Sequence, residues 1–528
     1  MKKVGLIIFV ALLIPIFVAC NNNTHNELKP TKDATEKALG FKIEKIVLSK
    51  GYQTLEPKVE IVTKNNETKL SISFGLIECS GITIDNITKK DNVVNIYANR
   101  LLEEDKTQLS IPQATVLLDK KLDDKANNYQ FNIINQNYSP IELKFGKSQT
   151  LDKIYSHFKI EPNSIPNVRL IRHKDSFIWD IVFHNIFDKG NFSTPLINLN
   201  VKADAITGEI VYSDKNVVSD YIDDGVILDY VPKKYLLYKQ EQIVNDKTVN
   251  LLWLYNIDKK EKEQIYETND SIFFAKFSPD HKNISLIEND NEMSDIYLIN
   301  IKEKLTSRLT PAGYNQIWNM KWNDENKIYF VNNDTENRST LFLYNVEEKN
   351  MEEVFKLPVK ISKFDVQDEQ IVFTEYEDKN INQNIFITKD GLTLEKIDEG
   401  HNVSFLDNDT VIFLKNSSAK NEDRLCLYDI KNKSMKLPTN VNVKNYLKYK
   451  DDKLFLIEKS GSEYDYTLLS CNIHDGSVHR IAKINGENIY YDEELNKGYI
   501  SLTPPLENKK RHIIYSIDLN QMKFVDNN

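Results

Sequence analysis

Cys20 is the residue whose surroundings most clearly indicate a chemical role. Two lysines, Lys2 and Lys3, precede a largely apolar run from 4 to 19, and Cys20 ends that run. A positive start followed by an apolar core is typical of a secretory signal, and about sixteen residues are fewer than the roughly 20 that a membrane-spanning helix needs. The pattern predicts that residues 1–19 are a signal peptide and are removed.

The residues around this cleavage point also resemble a known motif. Phe17-Val18-Ala19-Cys20 is similar to the lipobox of bacterial lipoproteins, in which cleavage precedes a cysteine that carries diacylglycerol. The resemblance implies cleavage after Ala19, S-diacylglycerol on Cys20 with or without an acyl chain on its amino group, and attachment to the extracytoplasmic face of the cell membrane. Residues 20–40 would form a flexible tether. The alternative is an ordinary anchor helix in which Cys20 is incidental.

Motifs for catalysis and for metal or cofactor binding are missing from the sequence. It contains no HExxH, GxSxG or glycine-rich phosphate loop, and no cluster of cysteines and histidines with the spacing of metal ligands. The remaining cysteines, Cys79, Cys426 and Cys471, form no CxxC pair, so we expect buried thiols. The sequence therefore predicts no catalytic, cofactor-binding or metal-binding residue, no cofactor, and a protein that is not an enzyme.

Three large side chains alternate along one short segment of the second half. Trp318, Met320 and Trp322 are spaced two residues apart, so on a strand they would share a face. Core packing is the expected role, and a platform for a ligand is the alternative.

The composition indicates a globular chain of two or three domains. Its 528 residues are too many for one ordinary core, and 41% are hydrophobic and 10% aromatic. The formal net charge is −10, which argues against a broad basic surface that could neutralise phosphates. We therefore expect no binding to nucleic acid.

A short pattern recurs along the second half of the chain. Each copy is an apolar run of five or six residues, rich in aromatic and β-branched types, and most copies contain an Asn or Asp near the end. The seven copies cover 252–257, 296–301, 341–346, 385–389, 425–430, 468–473 and 514–519, so they recur every 40 to 46 residues. Another strand-like run precedes each copy. Four strands per period of this length is the pattern of a β-propeller blade.

A segment of the second repeat strengthens the propeller prediction. Residues 275–281, Ala-Lys-Phe-Ser-Pro-Asp-His, resemble the F-S-P-D-G signature of TolB-like, WD40-like propeller repeats. The resemblance implies a β-propeller over 223–528. Seven blades account for all the copies, and six blades with one extra hairpin is the alternative.

The chain before the propeller predicts two smaller domains. Residues 41–124 alternate apolar and polar types over several short runs, which is typical of a small β-sandwich. Residues 125–222 combine strands with a helix near 148–158, for which Ser148 or Thr150 is the N-cap candidate. This second segment is therefore predicted to be an α+β domain.

The end of the α+β segment resembles another known family. Residues 201–210 are similar to the V-D-A-x-T-G-E-I hairpin that closes PepSY-like domains, and Trp179 lies on the strand where that family often has tryptophan. Asp204 and Gly208 are expected to form the turn, with a positive φ at Gly208. An unrelated α+β domain with an ordinary hairpin is the alternative.

Three hypotheses about function follow from the tether, the repeats and the missing motifs. The leading one is a lipid-anchored, extracytoplasmic binding or scaffold module without catalytic activity, whose propeller contacts a protein or a cell-envelope polymer. The second is an envelope enzyme that acts on glycan or peptide at the propeller channel, where ionisable side chains from several blades must converge. The third, implied only by the PepSY resemblance, is a regulator of an extracellular protease.

Overall fold

Two compact units, residues 1–142 and 143–528, make up the chain. The computed structural model describes residues 36–521, apart from 65–66, 123–128, 162–163, 175, 190–194, 291–292, 311–315, 378–379, 418–420, 451–452, 460–463 and 505–510. Both units consist mainly of β-strands, which confirms the predicted mainly-β class. Within this described part, no helix is both long and apolar enough to cross a membrane.

The first unit is built from two sheets that share one core. Its strands are β1 (Lys37–Ala38), β2 (Phe41–Ser49), β3 (Lys58–Lys64), β4 (Glu67–Ser73), β5 (Ile77–Cys79), β6 (Gly81–Lys90), β7 (Val93–Leu101), β8 (Gln108–Leu118) and β9 (Gln130–Asn135). One sheet has the order β2-β8-β4-β3, with β5 also paired to β8, and the other has the order β1-β6-β7-β9. Alternate residues such as Leu70 and Ile72 in β4 and Val94 and Ile96 in β7 are buried in the common core.

β9 belongs to the first unit, although its sequence was assigned to the following α+β domain. It runs parallel to β7, with a register from Val93↔Gln130 to Ala98↔Asn135. The apolar pattern of a strand does not reveal its pairing partner, so the sequence could not place β9. The boundary between the two units accordingly falls after Glu142.

The second unit begins with a helix and a four-stranded sheet. The helix α1 (Lys147–Phe158) precedes β10 (Asn167–His173), β11 (Ser176–Phe187), β12 (Leu196–Asp204) and β13 (Ile210–Val217), which are antiparallel neighbours in that order. Gly146 is the N-cap of α1, so the prediction of Ser148 or Thr150 was wrong. The Thr150 hydroxyl donates to the Gly146 carbonyl at 2.9 Å, which places Thr150 inside the first turn.

The turn between β12 and β13 has the conformation predicted from its Asp and Gly. Gly208 has a φ of +69°, which confirms the expected positive φ, and a Cβ here would lie 2.6 Å from the Phe145 ring. One Asp204 oxygen accepts two backbone N–H groups of the turn at 2.7 and 2.8 Å. The fully buried Trp179 indole donates to the Phe145 carbonyl at 2.9 Å. These contacts hold the hairpin and β11 against the segment before α1.

Seven four-stranded antiparallel sheets follow. Six of them are β15–β18, β19–β22, β23–β26, β27–β30, β30–β33 and β34–β37, where the long strand β30 belongs to two sheets. The seventh consists of β38, β39, β40 and β14, so an earlier strand completes it through a register from Ser219↔Ile517 to Asp224↔Ile513.

The strands of these sheets are three to eleven residues long. They are β14 (Ser219–Asp224), β15 (Val226–Val231), β16 (Tyr235–Val244), β17 (Lys247–Asn256), β18 (Glu261–Thr268), β19 (Ser271–Phe277), β20 (Asn283–Asn289), β21 (Ser294–Asn300), β22 (Leu305–Arg308), β23 (Gln316–Trp322), β24 (Lys327–Asn333), β25 (Ser339–Asn345), β26 (Asn350–Leu357), β27 (Ile361–Gln367), β28 (Gln370–Glu375), β29 (Gln383–Thr388), β30 (Glu395–Phe405), β31 (Thr410–Ser417), β32 (Glu422–Asp429), β33 (Ser434–Lys436), β34 (Val443–Lys450), β35 (Lys453–Lys459), β36 (Tyr466–Asn472), β37 (Val478–Ile484), β38 (Ile489–Asp492), β39 (Lys497–Leu502) and β40 (Ile513–Asp518). A short 3-10 helix, Leu519–Gln521, follows β40.

Each sheet shares a buried apolar cluster with the next one, and the seventh shares a cluster with the first. Leu252 of the first sheet and Leu286 of the second belong to one such cluster. Tyr238 of the first sheet and Ile514 of the seventh belong to another. The remaining neighbours are joined in chain order. A sheet with two apolar faces needs a neighbour on each side, and this arrangement supplies both.

The repeated sequence pattern lies on the third strand of each sheet. In most copies the Asn or Asp near its end accepts a backbone N–H group from the turn that follows. The Asn256 side chain accepts from Lys259 and the Asn300 side chain from Glu303, both at 2.9 Å, and Asp429 repeats the arrangement. Short polar side chains are favoured in such turns because they bond to the backbone locally. The repeat therefore reflects a turn requirement as well as a buried strand.

Candidate functional site

The first strands of five sheets meet at one cavity of about 680 Å³. The strands β19, β27, β30 and β34, together with β38 and the two residues before it, contribute the lining. The ionisable lining residues include Lys276, Lys363, His401, Lys444 and Lys448. Side chains that are far apart in sequence are therefore brought to one place, as the enzyme hypothesis required.

A β-bulge recurs on the first strand of the sheets and helps to set the direction of these side chains. Among the described residues, the register against the second strand shifts between Ile227 and Asp229, Ile272 and Phe274, Ile317 and Met320, Ile361 and Lys363, His401 and Ser404, and Val443 and Asn445. An extra residue in one strand changes which side chains face each side of the sheet. The cavity residues Lys363, His401 and Lys444 lie at or beside three of these bulges.

The same feature separates Trp318 from Met320 and Trp322. Met320 and Trp322 are buried in the core, as expected. Trp318 is half-buried, packs edge-on against Tyr376 with 5.0 Å between ring centroids, and lies 4.5 Å from the Lys360 ammonium group. The prediction of one common face was wrong because the bulge between Ile317 and Met320 interrupts the alternation.

Lysines dominate the charge of the cavity. Of the described residues that line it, four are lysines and one, Glu487, is a carboxylic acid. The chain as a whole has a net charge of −10, so the positive charge is a local concentration. A concave site with walls of low dielectric constant focuses its field, and this one should attract anions.

Asp229 pairs with one of these lysines and also links two sheets. Its Oδ1 atom is 2.8 Å from Lys276 Nζ, and its Oδ2 atom accepts the backbone N–H of Phe277 at 2.9 Å. The carboxylate on the first strand of the first sheet thereby holds the first strand of the second sheet. The position of Lys276 is fixed by this bridge.

Asp365 repeats this bridge three sheets further on, in the fourth sheet. It is almost fully buried, and its Oδ2 atom accepts the backbone N–H of Phe405 in the next sheet at 3.0 Å. Two ammonium groups share the carboxylate, since Oδ1 is 2.9 Å from Lys321 Nζ and Oδ2 is 3.7 Å from Lys448 Nζ. The single negative charge of Asp365 is therefore shared by lysines from two different sheets.

Lys363 lies among these lysines and donates to the side-chain oxygen of Asn402. The residue is open to the water of the cavity, yet protein surrounds its ammonium group closely. Loss of hydration, aided by the charges of Lys276, Lys321 and Lys448, lowers the pKa of Lys363 to about 8. Near neutral pH, Lys363 is therefore a neutral amine in a fraction of the molecules, whereas an ordinary lysine is almost entirely protonated.

His401 and Lys444 converge on a second buried carboxylate, Asp423. Its oxygens are 3.5 Å from His401 Nε2 and 2.5 Å from Lys444 Nζ, and Oδ1 accepts from Asn416 at 2.6 Å. Burial alone would raise the pKa of Asp423, but the contacts with Lys444 and Asn416 hold it below its ordinary value. Asp423 is therefore a charged anchor for two lining residues.

Asp423→Asn should lower the free energy of unfolding at pH 7 by about 2 kcal/mol, because Lys444 would lose its buried partner. The folded-state pKa of Asp423 is below the ordinary value of 3.8, so the stabilisation is present above about pH 4 and is lost as the pH falls through the folded-state value. Denaturant unfolding at pH 7 and pH 3 measures the difference.

Asp409→Asn is the control. The Asp409–Lys431 pair is exposed, so this substitution should change the free energy of unfolding by less than about 0.5 kcal/mol. A D423N effect that is as small as the control, or that does not change with pH, would contradict this role.

Hydroxyl and amide groups complete the lining. The Tyr446 hydroxyl lies 3.0 Å from Ser404 Oγ and donates to the Asn402 carbonyl. Burial raises the pKa of Tyr446, so its hydroxyl stays protonated at neutral pH. The Tyr490 hydroxyl donates to the Leu228 carbonyl at 3.0 Å. These bonds hold both rings in place at the edge of the cavity.

Cys20, the one residue to which the sequence assigned a chemical role, lies outside the described residues, as do the predicted signal peptide and most of the predicted tether. The other three cysteines, Cys79, Cys426 and Cys471, are free and buried, which confirms that prediction. In the described ranges, no group of three or more His, Cys, Asp or Glu residues is arranged to hold a metal ion.

The sequence analysis missed the lysines of the cavity, although a signal is present for three of the four lining lysines, Lys276, Lys363 and Lys448. Lys321, which shares the Asp365 carboxylate with Lys448, carries the same signal. Four first strands contain a lysine directly before an aromatic residue: Lys276-Phe277, Lys321-Trp322, Lys363-Phe364 and Lys448-Tyr449. On a strand, neighbouring side chains point to opposite sides, so the aromatic ring packs inward while the lysine faces away. A lysine repeated at one position of a buried strand indicates a shared site.

Comparisons with known proteins give likenesses of fold at low sequence identity. The solved structures that match include an oligogalacturonate lyase in complex with manganese (10% identity, 68% of this chain and 100% of that chain, TM-score 0.46). The β-propeller domain of the Trilobed protease from Pyrococcus furiosus matches with 17% identity, 56% and 96% coverage and a TM-score of 0.42. TolB from Acinetobacter baumannii matches with 9% identity, 67% and 87% coverage and a TM-score of 0.33. No protein-family profile matches the sequence, and no curated protein matches it.

These neighbours bear on two groups of predictions. TolB and a propeller domain are among them, which is consistent with the predicted TolB-like propeller. The predictions of a non-catalytic binding or scaffold module, and of a protein that is not an enzyme, are contradicted: the solved structures that match include a lyase and peptidases. Those predictions relied on missing linear motifs, and a site assembled from several sheets has no linear motif.

Proposed function

We propose that this chain is an enzyme of the bacterial cell envelope that acts on a glycan or a peptide in the lysine-rich cavity. The position of Lys363 is the observation that supports this most. Its amine is crowded by other lysines in a water-accessible cavity, and the pKa of about 8 makes it a proton acceptor near neutral pH. Lys276 and Lys448 would stabilise negative charge that develops on a bound substrate.

A substrate screen tests this proposal. The purified chain beginning at residue 21 would be incubated with isolated envelope glycans and with peptide mixtures, and products would be identified by mass spectrometry. Products that the wild type forms and Lys363→Met does not form would support the proposal. Identical product patterns from the two proteins, or none from either, would count against it.

We further propose that the seven sheets form a seven-bladed TolB-like β-propeller whose central channel contains the cavity. The shared clusters that join each sheet to the next, and the seventh to the first, support seven blades over six. The two sheets around one core support a β-sandwich before it. The helix, the four-stranded sheet, the buried Trp179 and the Gly208 turn support a PepSY-like domain between them.

Attachment to the membrane through Cys20 is proposed from the sequence motif. In a bacterial host fed an alkyne fatty acid, the wild type should incorporate the label and Cys20→Ser should lose it completely. Cys79→Ser, which removes a buried thiol, should keep the label. Label that persists in C20S would contradict a lipid on Cys20. The proposed partners are thus membrane lipid and an envelope polymer, and nucleic acid is not among them.

A further inference from the structure

Positive charge exceeds negative charge around Lys363. Lys321 and Lys448 share the one carboxylate of Asp365, and Lys363 donates to the neutral side-chain oxygen of Asn402. Three ammonium groups therefore lie around one carboxylate. A carboxylate of a ligand would replace the hydration that these groups have lost and would relieve their repulsion.

A row of polar groups crosses the neighbouring first strands beside these lysines. Asn402 Nδ2 donates to Asn445 Oδ1, and Asn445 Nδ2 donates to the Glu487 carbonyl, both at 3.4 Å. Hydrogen bonds of this length are weak, so hydroxyl groups of a ligand can replace them at little cost. A side-chain amide both donates and accepts, which matches a pair of adjacent hydroxyl groups on a sugar ring.

The size of the cavity is compatible with a short chain of sugar units. Its volume of about 680 Å³ lies within the range of about 300 to 1,000 Å³ that is usual for ligand sites. An acidic peptide would also meet the lysines, but its polar groups are spread along a chain, whereas adjacent ring hydroxyls fit neighbouring amides. The lining therefore favours a sugar.

We propose that the cavity binds an acidic oligosaccharide. Its carboxylate lies against Lys448, which leaves Lys363 free to take up a proton, and its ring hydroxyls bond to Asn402 and Asn445. This inference rests on the proposed function, because it names the substrate class of the same cavity.

Calorimetric binding of trigalacturonate to the chain beginning at residue 21 tests the inference. The matched ligand is the fully methyl-esterified trisaccharide, which has the same rings and linkages without the charge. We expect the acid to bind at least about ten-fold more tightly than the ester at pH 6.5, and the preference to shrink as salt rises. Lys448→Met should weaken binding of the acid at least about ten-fold and leave the ester unchanged. Lys356→Met, at an exposed position of β26, should behave as the wild type.

Several outcomes would overturn the inference. They are equal binding of acid and ester, tighter binding of triglutamate, binding of inorganic phosphate as tight as that of trigalacturonate, and no binding at all. The acid–ester comparison on the wild type decides the matter even if K448M does not fold. Binding of trigalacturonate without turnover would support this inference and count against the enzyme. Turnover of a neutral glycan or a peptide would support the enzyme and overturn this inference.

Discussion

Replacing Asp220 and Tyr221 together by proline should lower the melting temperature of the chain by roughly 4 °C or more. Both residues lie on β14, which pairs with β40 and so joins residues 219–224 to 513–517. Proline has no N–H group and fixes φ, so two consecutive prolines remove at least one bond of the ladder and distort the strand. We expect a loss of about 3 kcal/mol or more in the free energy of unfolding.

The loss should be large because β14 covers buried side chains. Tyr515 and Ile517 of β40 lie opposite Tyr221 and Ser219, and both are completely buried in the cluster between the sixth and seventh sheets. Each such side chain contributes about 1.5 to 3 kcal/mol through burial. Each sheet packs against both of its neighbours, so the loss of β14 should also destabilise the first and sixth sheets.

Two control variants isolate the role of the strand. Asp220→Ala with Tyr221→Ala keeps the backbone N–H groups and should cost less than half as much. Ser434→Pro with Met435→Pro makes the same change in β33, an exposed edge strand paired only locally with β32, and should lower the melting temperature by less than roughly 2 °C. Thermal unfolding followed by circular dichroism measures all three. If the β33 variant is as unstable as the β14 variant, β14 has no special part in joining the last sheet.

Lys363→Met should reduce turnover at least about 100-fold while it leaves the fold intact. Methionine matches the length and apolar stem of lysine but cannot take up a proton. If Lys363 is the proton acceptor, turnover by the wild type should rise with pH through about 8, where the amine becomes neutral. The measurement is the rate of product formation on the best substrate of the screen between pH 6 and 9.

Lys363→Arg separates proton transfer from binding. Arginine keeps the positive charge and does not lose its proton in proteins. K363R should therefore keep KM within a few-fold of the wild type and lose kcat, whereas K363M should change both. Lys356→Met should change neither, because Lys356 is exposed on β26. Turnover by K363R at the wild-type rate would show that the residue only binds charge.

The same lysine should make the stability of the chain depend on pH. Its folded-state pKa of about 8 is below the ordinary 10.5, so between these values the unfolded chain binds more protons and stability rises with pH. Below pH 8, the crowded ammonium group of Lys363 lowers the free energy of unfolding by its full amount. Because water reaches the side chain, we expect this loss to be about 1 kcal/mol. K363M should thus be more stable than the wild type at pH 7 and lose that advantage toward pH 10.5 in denaturant unfolding.

Local features of this fold could be predicted because their causes lie within a few residues. The apolar runs that form the third strands, the Asn or Asp that turns the chain after them and the positive φ at Gly208 each depend on neighbours in sequence. The same holds for the motif around Cys20, whose role stays a prediction from sequence. The predicted N-cap was wrong because Gly146 is the N-cap of α1, and its backbone N–H group donates to the side-chain oxygen of Gln149.

Features that depend on distant partners could not be predicted. The assignment of β9 to the first unit depends on its parallel pairing with β7. Trp318 does not share a face with Met320, because a bulge interrupts the alternation between them. The pattern of each strand is compatible with several partners and registers, and only tertiary packing selects among them.

The sequence by itself determined that the second half is a series of similar four-stranded sheets, and that Cys20 lies where a lipid could be attached. The tertiary structure alone decided that Lys276, Lys321 and Lys448 lie close enough to Lys363 for their charges to act on it. The four lysines lie on four different sheets. The repeated lysine before an aromatic residue marks a common position on each first strand, but the distances between the lysines depend on how the sheets pack. The low pKa of Lys363 arises only once protein surrounds its ammonium group and the neighbouring charges are held close. Loss of hydration and Coulomb repulsion depend on distance in space and not on spacing along the chain.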